Sequence, residues 1–169
     1  MLLNLASVID TPGAALSFRH SMDFSDADFG GQCPVSEPVE FSGSVFNEAG
    51  VVHLKADMST RLHCVCDRCA APFERDFNKE VSAILVDSTA NEENEETDWT
   101  FLLQGDSADL DDILNTAFVL NMDSRMLCSE DCKGLCCTCG KNLNEGPCGC
   151  TKEIDPRLAV LRQLLQDKE

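Results

Sequence analysis

Cysteine pairs at two distant places in the chain have the spacing of metal ligands. Cys136 and Cys139 form a Cys-x2-Cys pair followed by Gly140, the tight turn from which two thiolates bind one tetrahedral zinc ion. Cys66-Asp67-Arg68-Cys69 is a second pair of the same kind. The stretch 128–150 alone holds seven of the eleven cysteines. This chemistry predicts at least one structural zinc site.

The spacing leaves open which thiols share an ion. The candidate ligands are four close pairs: Cys66/Cys69, Cys128/Cys132, Cys136/Cys139 and Cys148/Cys150. One arrangement closes a site within the tail, from the third pair and either the second or the fourth. Another brings the first pair against a pair from the tail, as in a zinc ribbon split between distant segments. Two ions are compatible with this number of thiols.

Other cysteine chemistries fit the pattern less well. A disulfide framework belongs to an oxidising compartment, and an odd total of eleven thiols suits it poorly. Thiol-redox chemistry would place a Cys-x2-Cys pair in a βαβ context, but both pairs follow strand or loop signals. Iron–sulfur ligation stays open in principle, because the spacing does not distinguish it from zinc ligation. Cys33, which precedes Pro34 in a predicted loop, is interpreted as a lone thiol.

The sequence contains no pattern of residues that is typical of an active centre. A catalytic zinc site needs an open coordination position and usually a His or Glu ligand beside a general base. His20, His53 and His63 all fall in predicted strands and are interpreted as ordinary sheet residues. No His-Glu-x-x-His motif and no phosphate-binding glycine loop occurs. We therefore expect a protein that is not an enzyme and has no small-molecule substrate.

Composition and charge limit the classes of partner that the protein can have. The chain of 169 residues carries a net charge of −17, which repels phosphate backbones at long range. A basic protein, or RNA already coated by basic proteins, is the expected partner. No apolar run approaches the roughly 18 residues of a membrane span. The first 13 residues lack the basic start of a signal peptide. We expect a cytoplasmic protein with no membrane partner.

Elements that position the thiols follow from the hydrophobic pattern. Alternating apolar residues predict strands over 16–24, 39–45, 51–56, 60–66 and 77–86, with a hairpin turn at 47–50. A further short strand is predicted at 99–103. Residues 109–122 have helical spacing, with acidic residues in the first turn. These elements predict an antiparallel β meander or partly open barrel followed by a helix.

The remainder of the chain divides into two further predicted parts. The segment 87–112 contains no Lys or Arg and is predicted to be an acidic loop of the β-rich domain, with a charged insertion at 91–98. Asp155-Pro156 is a helix-start signal before a leucine-rich C-terminal helix. The predicted fold class is α+β. Residues 1–125 form a β-rich domain, and 126–169 form a Cys-rich, zinc-binding tail ending in that helix.

The sequence resembles the YceD family. Residues 66–73, Cys-Asp-Arg-Cys-Ala-Ala-Pro-Phe, are similar to the family signature C-x-R-C-L-x-P-F. The segments 127–136, 139–144 and 154–159 resemble the tail of many members. Two positions depart from the pattern: Cys137 occupies the usual place of a proline, and Ala70 replaces a larger aliphatic residue. We interpret the change at Ala70 as one of packing only.

The resemblance implies a bacterial factor that supports accumulation of large-subunit ribosomal RNA and assembly of the large ribosomal subunit. Its implied partners are the large-subunit precursor, ribosomal RNA or basic ribosomal proteins. The thiol pattern itself keeps an alternative open, a thiol-redox or metal-handling protein that uses the Cys-x2-Cys pairs. Metal content and large-subunit RNA levels would distinguish the two.

Overall fold

The computed structural model describes residues 1–87 and 99–150. The strands are β1 (Leu2–Asn4), β2 (Ala15–Met22), β3 (Val39–Glu48), β4 (Val51–Val65), β5 (Pro72–Val86), β6 (Trp99–Leu102) and β7 (Ser107–Asp109). The helices are α1 (Ala6–Ile9), α2 (Leu110–Asn121) and a single 3-10 turn, Leu143–Glu145. The predicted C-terminal helix and the 91–98 loop lie outside the described residues.

The main sheet is a meander of five strands in the order β2-β3-β4-β5-β6. The first four strands pair antiparallel, and β6 pairs parallel to β5. A second, two-stranded sheet joins β1 to β7. Within the described part of the chain the main sheet does not close into a barrel. The fold is therefore α+β with a mostly antiparallel sheet, as predicted.

Two predicted strands are one in the structure. The sequence favoured separate strands at 51–56 and 60–66, but β4 runs unbroken from Val51 to Val65. Asp57 and Ser59 are exposed while Met58 is buried, so the alternation continues through the polar segment. Strand β5 pairs with β4 over nearly its whole length, from Pro72 to Leu85. This long hairpin carries the first cysteine pair at its far end.

The turn between β3 and β4 was predicted correctly, and it anchors the start of the chain. Ala49 and Gly50 connect the strands with φ of 53° and 91°, the left-handed geometry of a two-residue hairpin turn. Asn47 is buried and donates hydrogen bonds to the carbonyls of Val8 and Ile9, each over 2.9 Å. The sequence indicated no element before residue 14, so α1 and β1 were missed.

The hydrophobic core lies between one face of the sheet and α2. Phe118 is fully buried and contacts Phe24, Phe29 and Phe77, with ring centroids 4.3, 5.9 and 5.7 Å away. Asp109 caps the helix by accepting a hydrogen bond from the backbone N–H of Asp111. Because α2 packs here, the segment that follows α2 begins beside the far end of the β4–β5 hairpin.

Candidate metal centres

The first centre joins the end of the β4–β5 hairpin to the segment after α2. Its sulfur atoms belong to Cys66, Cys69, Cys128 and Cys132, and they all lie within 4.8 Å of one another. The Sγ atoms of Cys66 and Cys132 are 3.8 Å apart, and those of Cys69 and Cys128 are 3.6 Å apart. All but Cys128 are buried. These four thiols can hold one metal ion.

The second centre lies wholly within the tail. Cys136 and Cys139 meet Cys148 and Cys150, again with all four sulfur atoms within 4.8 Å of one another. None of these four residues is buried. The sequence left the partition of the four pairs open. The structure combines the first pair with the second, and the third pair with the fourth.

Each centre is built on a turn of the same kind. In the first, the N–H of Ala70 donates to the carbonyl of Cys66 over 2.8 Å, and the N–H of Cys66 donates to Ala71. In the second, Gly140 donates to the carbonyl of Cys136 over 2.9 Å, and Cys136 donates to Lys141. The residue after the second cysteine has positive φ in each case, 55° at Ala70 and 71° at Gly140.

The packing interpretation of Ala70 is wrong. Its side chain is exposed, and the position matters because the turn requires a left-handed backbone there. Gly140 meets the same requirement without strain, whereas a Cβ disfavours it.

Asp67 and Arg68 hold the tail against the first turn. The Asp67 N–H donates to the carbonyl of Met126 over 2.8 Å, and the Met126 N–H donates to Asp67 Oδ2 over 2.7 Å. Arg68 donates to the carbonyl of Cys132 over 3.1 Å, and its own carbonyl accepts from Leu135. The two residues between the cysteines therefore orient the segment that carries the other two ligands.

Two polar residues near the first centre escaped the sequence interpretation. Asn144 donates from its side-chain amide to the Cys132 sulfur over 3.3 Å, and it accepts from the Lys133 N–H over 2.7 Å. Gln32 bonds both backbone groups of Val65 and reaches Asp67 Oδ1 over 3.2 Å. Neither residue is spaced as a ligand, so only the fold reveals their role.

Hydrogen bonding within the first centre separates the acidities of its thiols. Burial disfavours the Cys66 thiolate, but backbone N–H groups of Cys128, Arg68 and Cys69 outweigh it and lower the pKa of Cys66 to about 6. The neighbouring Cys66 and Cys69 sulfur atoms raise the pKa of Cys128 to about 12. Four adjacent thiolates repel one another, so full ionisation requires a cation among them.

The second centre repeats this electrostatic pattern. The N–H groups of Cys139 and Thr138 lower the pKa of Cys136 to about 6. The adjacent Cys139 sulfur raises the pKa of Cys150 to about 12. The first cysteine of each turn is therefore more acidic than an ordinary thiol.

The remaining thiols and the histidines lie outside both centres. Cys33 and Cys137 are exposed, and Cys64 is buried in the main core. His20 contacts Asp111 at 2.6 Å, and His63 lies 3.3 Å from Glu74. The third histidine, in β4, stacks on Phe46. All three histidines occupy sheet positions, as predicted.

The fold and the two four-cysteine centres define an α+β protein in which the segment after α2 places two cysteines beside the two at the end of the β4–β5 hairpin. The chain belongs to the YceD family, described as large ribosomal RNA subunit accumulation protein, whose model matches residues 54–165. The match covers both cysteine turns and all eight clustered thiols.

Curated relatives occur in mycobacteria. An uncharacterized protein of Mycobacterium bovis and two uncharacterized proteins of Mycobacterium tuberculosis are each 29% identical to the chain over 101 residues. The matched part is 59% of this chain and 49% of each relative, so the chain spans about half the length of the curated relatives it matches. No solved structure matches the chain.

Among residues 1–87 and 99–150, no helix combines the length and apolar character needed to cross a bilayer.

Proposed function

We propose that this protein is a non-enzymatic factor that supports accumulation of large-subunit ribosomal RNA and assembly of the large ribosomal subunit in the bacterial cytoplasm. Membership of the YceD family supports this proposal, because the family description names accumulation of large-subunit ribosomal RNA, and a role in subunit assembly is our extension of it. The site geometry is compatible with it, since the thiols are arranged to fix a tail in place.

We further propose that each four-cysteine centre binds one structural zinc ion. Four sulfur atoms at tetrahedral positions about 2.3 Å from zinc lie about 3.8 Å apart. The Cys66–Cys132 and Cys69–Cys128 separations of 3.8 and 3.6 Å are close to that value. The ligands of a multi-iron cluster bind separate irons around a larger core. The compact sulfur set therefore favours a single ion, and an all-thiolate tetrahedral site suits zinc.

A structural role follows from the closed ligand set. Four protein ligands fill the coordination sphere, so no position remains for a water nucleophile or a substrate. The first ion joins Cys66 and Cys69, in the predicted domain 1–125, to Cys128 and Cys132 in the predicted tail 126–169. The second ion folds the tail on itself. Together the two ions fix the conformation of the tail, and no reaction is assigned to them.

The partner class follows from charge. A protein with a net charge of −17 attracts basic polypeptides and repels free polyanions at long range. Basic ribosomal proteins, or a precursor particle in which RNA is already coated by them, are the partners we propose. A thiol-redox or metal-handling role is disfavoured because each pair in the two turns is enclosed in a four-sulfur group.

Deletion of the gene in its own host tests the proposal. We expect a lowered ratio of large- to small-subunit ribosomal RNA and fewer free large subunits in a sucrose gradient. Expression of the wild-type protein should restore both, and a Cys69→Ser variant should not. A deletion strain with an unchanged RNA ratio and a normal subunit profile would refute the assembly role.

Metal analysis tests the zinc proposal separately. Protein purified without added metal should contain about two tightly bound zinc ions per chain. A reversible Cys136–Cys139 disulfide in place of bound metal would instead favour the thiol-redox alternative.

A further inference from the structure

An open groove lies beside the first centre, between the last turn of α2 and the loop that contains Phe29. Its volume is about 650 Å³. Five apolar side chains line it, those of Phe29, Val119, Met122, Met126 and Leu127. Val119 is 47% exposed, so none of the described residues covers this end of the groove. Apolar surface left open in this way is typical of a docking site.

The C-terminal segment 151–169, which lies outside the described residues, begins close to this groove. Cys150, the last described residue, lines a smaller cavity together with Leu135 and Leu143. The Leu135 N–H donates to the carbonyl of Arg68 over 3.1 Å, and Arg68 lines the groove. One hydrogen-bonded pair of residues therefore connects the two cavities. Five extended residues span up to about 17 Å, so residues 151–155 are long enough to pass from the first cavity to the second.

The sequence of this segment suits an apolar groove in an acidic protein. Residues 156–165 read Pro-Arg-Leu-Ala-Val-Leu-Arg-Gln-Leu-Leu, and Leu158, Leu161 and Leu165 fall on one side of the predicted helix. The stretch contains two arginines and no acid, whereas the whole chain has a net charge of −17. The match to the family model ends at residue 165, the last of these leucines. The family match therefore includes the leucines as well as the thiols.

We propose that the C-terminal segment docks into this groove of its own chain, with the three leucines against the apolar lining. Docking removes apolar surface from water on both sides of the contact. Asp28 lies at the edge of the groove, is exposed and takes part in no ion pair among the described residues. It can accept a hydrogen bond from Arg157 or Arg162 of the docked segment. This inference goes beyond the proposed assembly role and does not depend on it.

Tethering and charge favour this occupant over another molecule. A segment joined to the protein a few residues from its site has an effective concentration on the order of millimolar. A second copy of the chain must bind from solution, and two molecules with a net charge of −17 repel each other. The segment also brings two positive charges to an acidic surface. Intramolecular docking is therefore the expected state at ordinary protein concentrations.

Photocrosslinking of the full-length, zinc-loaded protein tests the docking. A photoreactive p-benzoylphenylalanine replaces Leu161 in one variant and Gln163, on the opposite side of the predicted helix, in another. Irradiation of the first variant should give an intramolecular adduct with residues 119–127, mapped by mass spectrometry. The fraction of protein that forms this adduct should not change on about tenfold dilution. The second variant should give about fivefold less of it, because its photoreactive group faces away from the groove.

Trypsin cleavage after Arg157 measures how often the segment leaves the groove. Val119→Asp places a charge in the apolar lining and should speed this cleavage about tenfold or more. Leu161→Asp should have the same effect from the other side of the contact. Val51→Asp is the matched control, because Val51 is also an exposed valine but lies at the turn between β3 and β4. Its cleavage rate should stay within about twofold of wild type.

Three results would overturn the proposal: cleavage of wild type as fast as that of Leu161→Asp, equal rates in Val119→Asp and Val51→Asp, or adducts of position 161 outside residues 119–127. Adducts that join two chains would assign the groove to a second copy instead. Zinc content and circular dichroism should match wild type in every variant, which separates lost docking from a damaged metal centre. If Val119→Asp does not fold, Leu161→Asp and the adduct decide. A normal deletion strain would refute the assembly role and leave these results unaffected.

Discussion

The side-chain amide of Asn144 donates a hydrogen bond to the sulfur of Cys132, 3.3 Å away. Asn144 lies between Cys139 and Cys148, in the segment enclosed by the second centre, whereas Cys132 belongs to the first. The Leu143 N–H also donates to the carbonyl of Gly134 over 2.9 Å. The segment between the cysteines of the second centre therefore contacts a cysteine of the first directly.

Asn144→Ala should lower the zinc affinity of the first centre by about tenfold, because groups that hydrogen-bond metal ligands typically contribute 10- to 100-fold. Competition with a chromophoric chelator should show one weakened and one unchanged zinc. Asn115→Ala removes the same group from the exposed side of α2 and should release zinc as wild type does. Equal release from both asparagine variants would show that the hydrogen bond to Cys132 has no effect on the metal.

The effect of a cysteine substitution should depend on which centre the cysteine belongs to. Cys139→Ser should leave about one zinc per chain and open the tail to protease over residues 126–152, because zinc binding supplies folding free energy on the order of 10 kcal/mol. Cys69→Ser should lower the melting temperature of the whole protein as well, since Cys69 is buried at the end of the long hairpin. Mass spectrometry under native conditions and limited proteolysis measure these effects.

Cys137→Ser is the control for that series. Cys137 is exposed and outside both four-sulfur groups, so the variant should keep two zinc ions and wild-type protease resistance. Loss of an ion from this variant would assign Cys137 to the ligand set in place of one of its neighbours.

Asp67→Ala should destabilise the protein by about 1–3 kcal/mol, since it leaves the Met126 N–H without its acceptor. The loss should appear in urea unfolding of the zinc-loaded protein at neutral pH. Asp57→Ala, which removes an exposed carboxylate from the open face of β4, should change the free energy of unfolding by less than about 0.5 kcal/mol. Similar values for the two variants would mean that Asp67 does not hold the tail.

Gly134→Ala should destabilise the tail by about 1–2 kcal/mol or more. Gly134 has φ of 73°, and an added Cβ would lie 2.9 Å from the Arg68 carbonyl oxygen. Gly149→Ala is the control, because Gly149 has an ordinary φ and a Cβ there would meet nothing within 4 Å. Hydrogen exchange of the Leu135 amide, which donates to Arg68, reports the difference directly. Equal protection of that amide in the two variants would contradict the steric argument.

Most of the sheet and the ligand types could be predicted from local patterns. Alternation located β2, β3 and β5, and apolar spacing with acidic residues in the first turn located α2, because each signal is encoded within a few residues. The eight clustered thiols were predicted as candidates for the same reason. Their partition was not, since it depends on where α2 delivers residues 128 and 132 relative to the β4–β5 hairpin.

The missed elements have the same physical cause. Strand β1 is only three residues long and forms by pairing with β7, more than a hundred positions away. The roles of Asn144 and Gln32 depend on contacts between distant segments, which leave no periodic signal in the sequence. Ala70 was misinterpreted because its backbone angle, and not its size, is what the turn demands.

The first centre joins residues that are 66 positions apart along the chain, Cys66 and Cys132. During synthesis the hairpin bearing Cys66 and Cys69 emerges well before its partners, so a nascent chain displays half of a metal site. Closing so long a loop carries an entropic penalty that grows only slowly with length, and two thiols already held in one turn reduce what remains to be ordered. A complete four-thiol group can therefore form only after the segment that follows α2 has been synthesised.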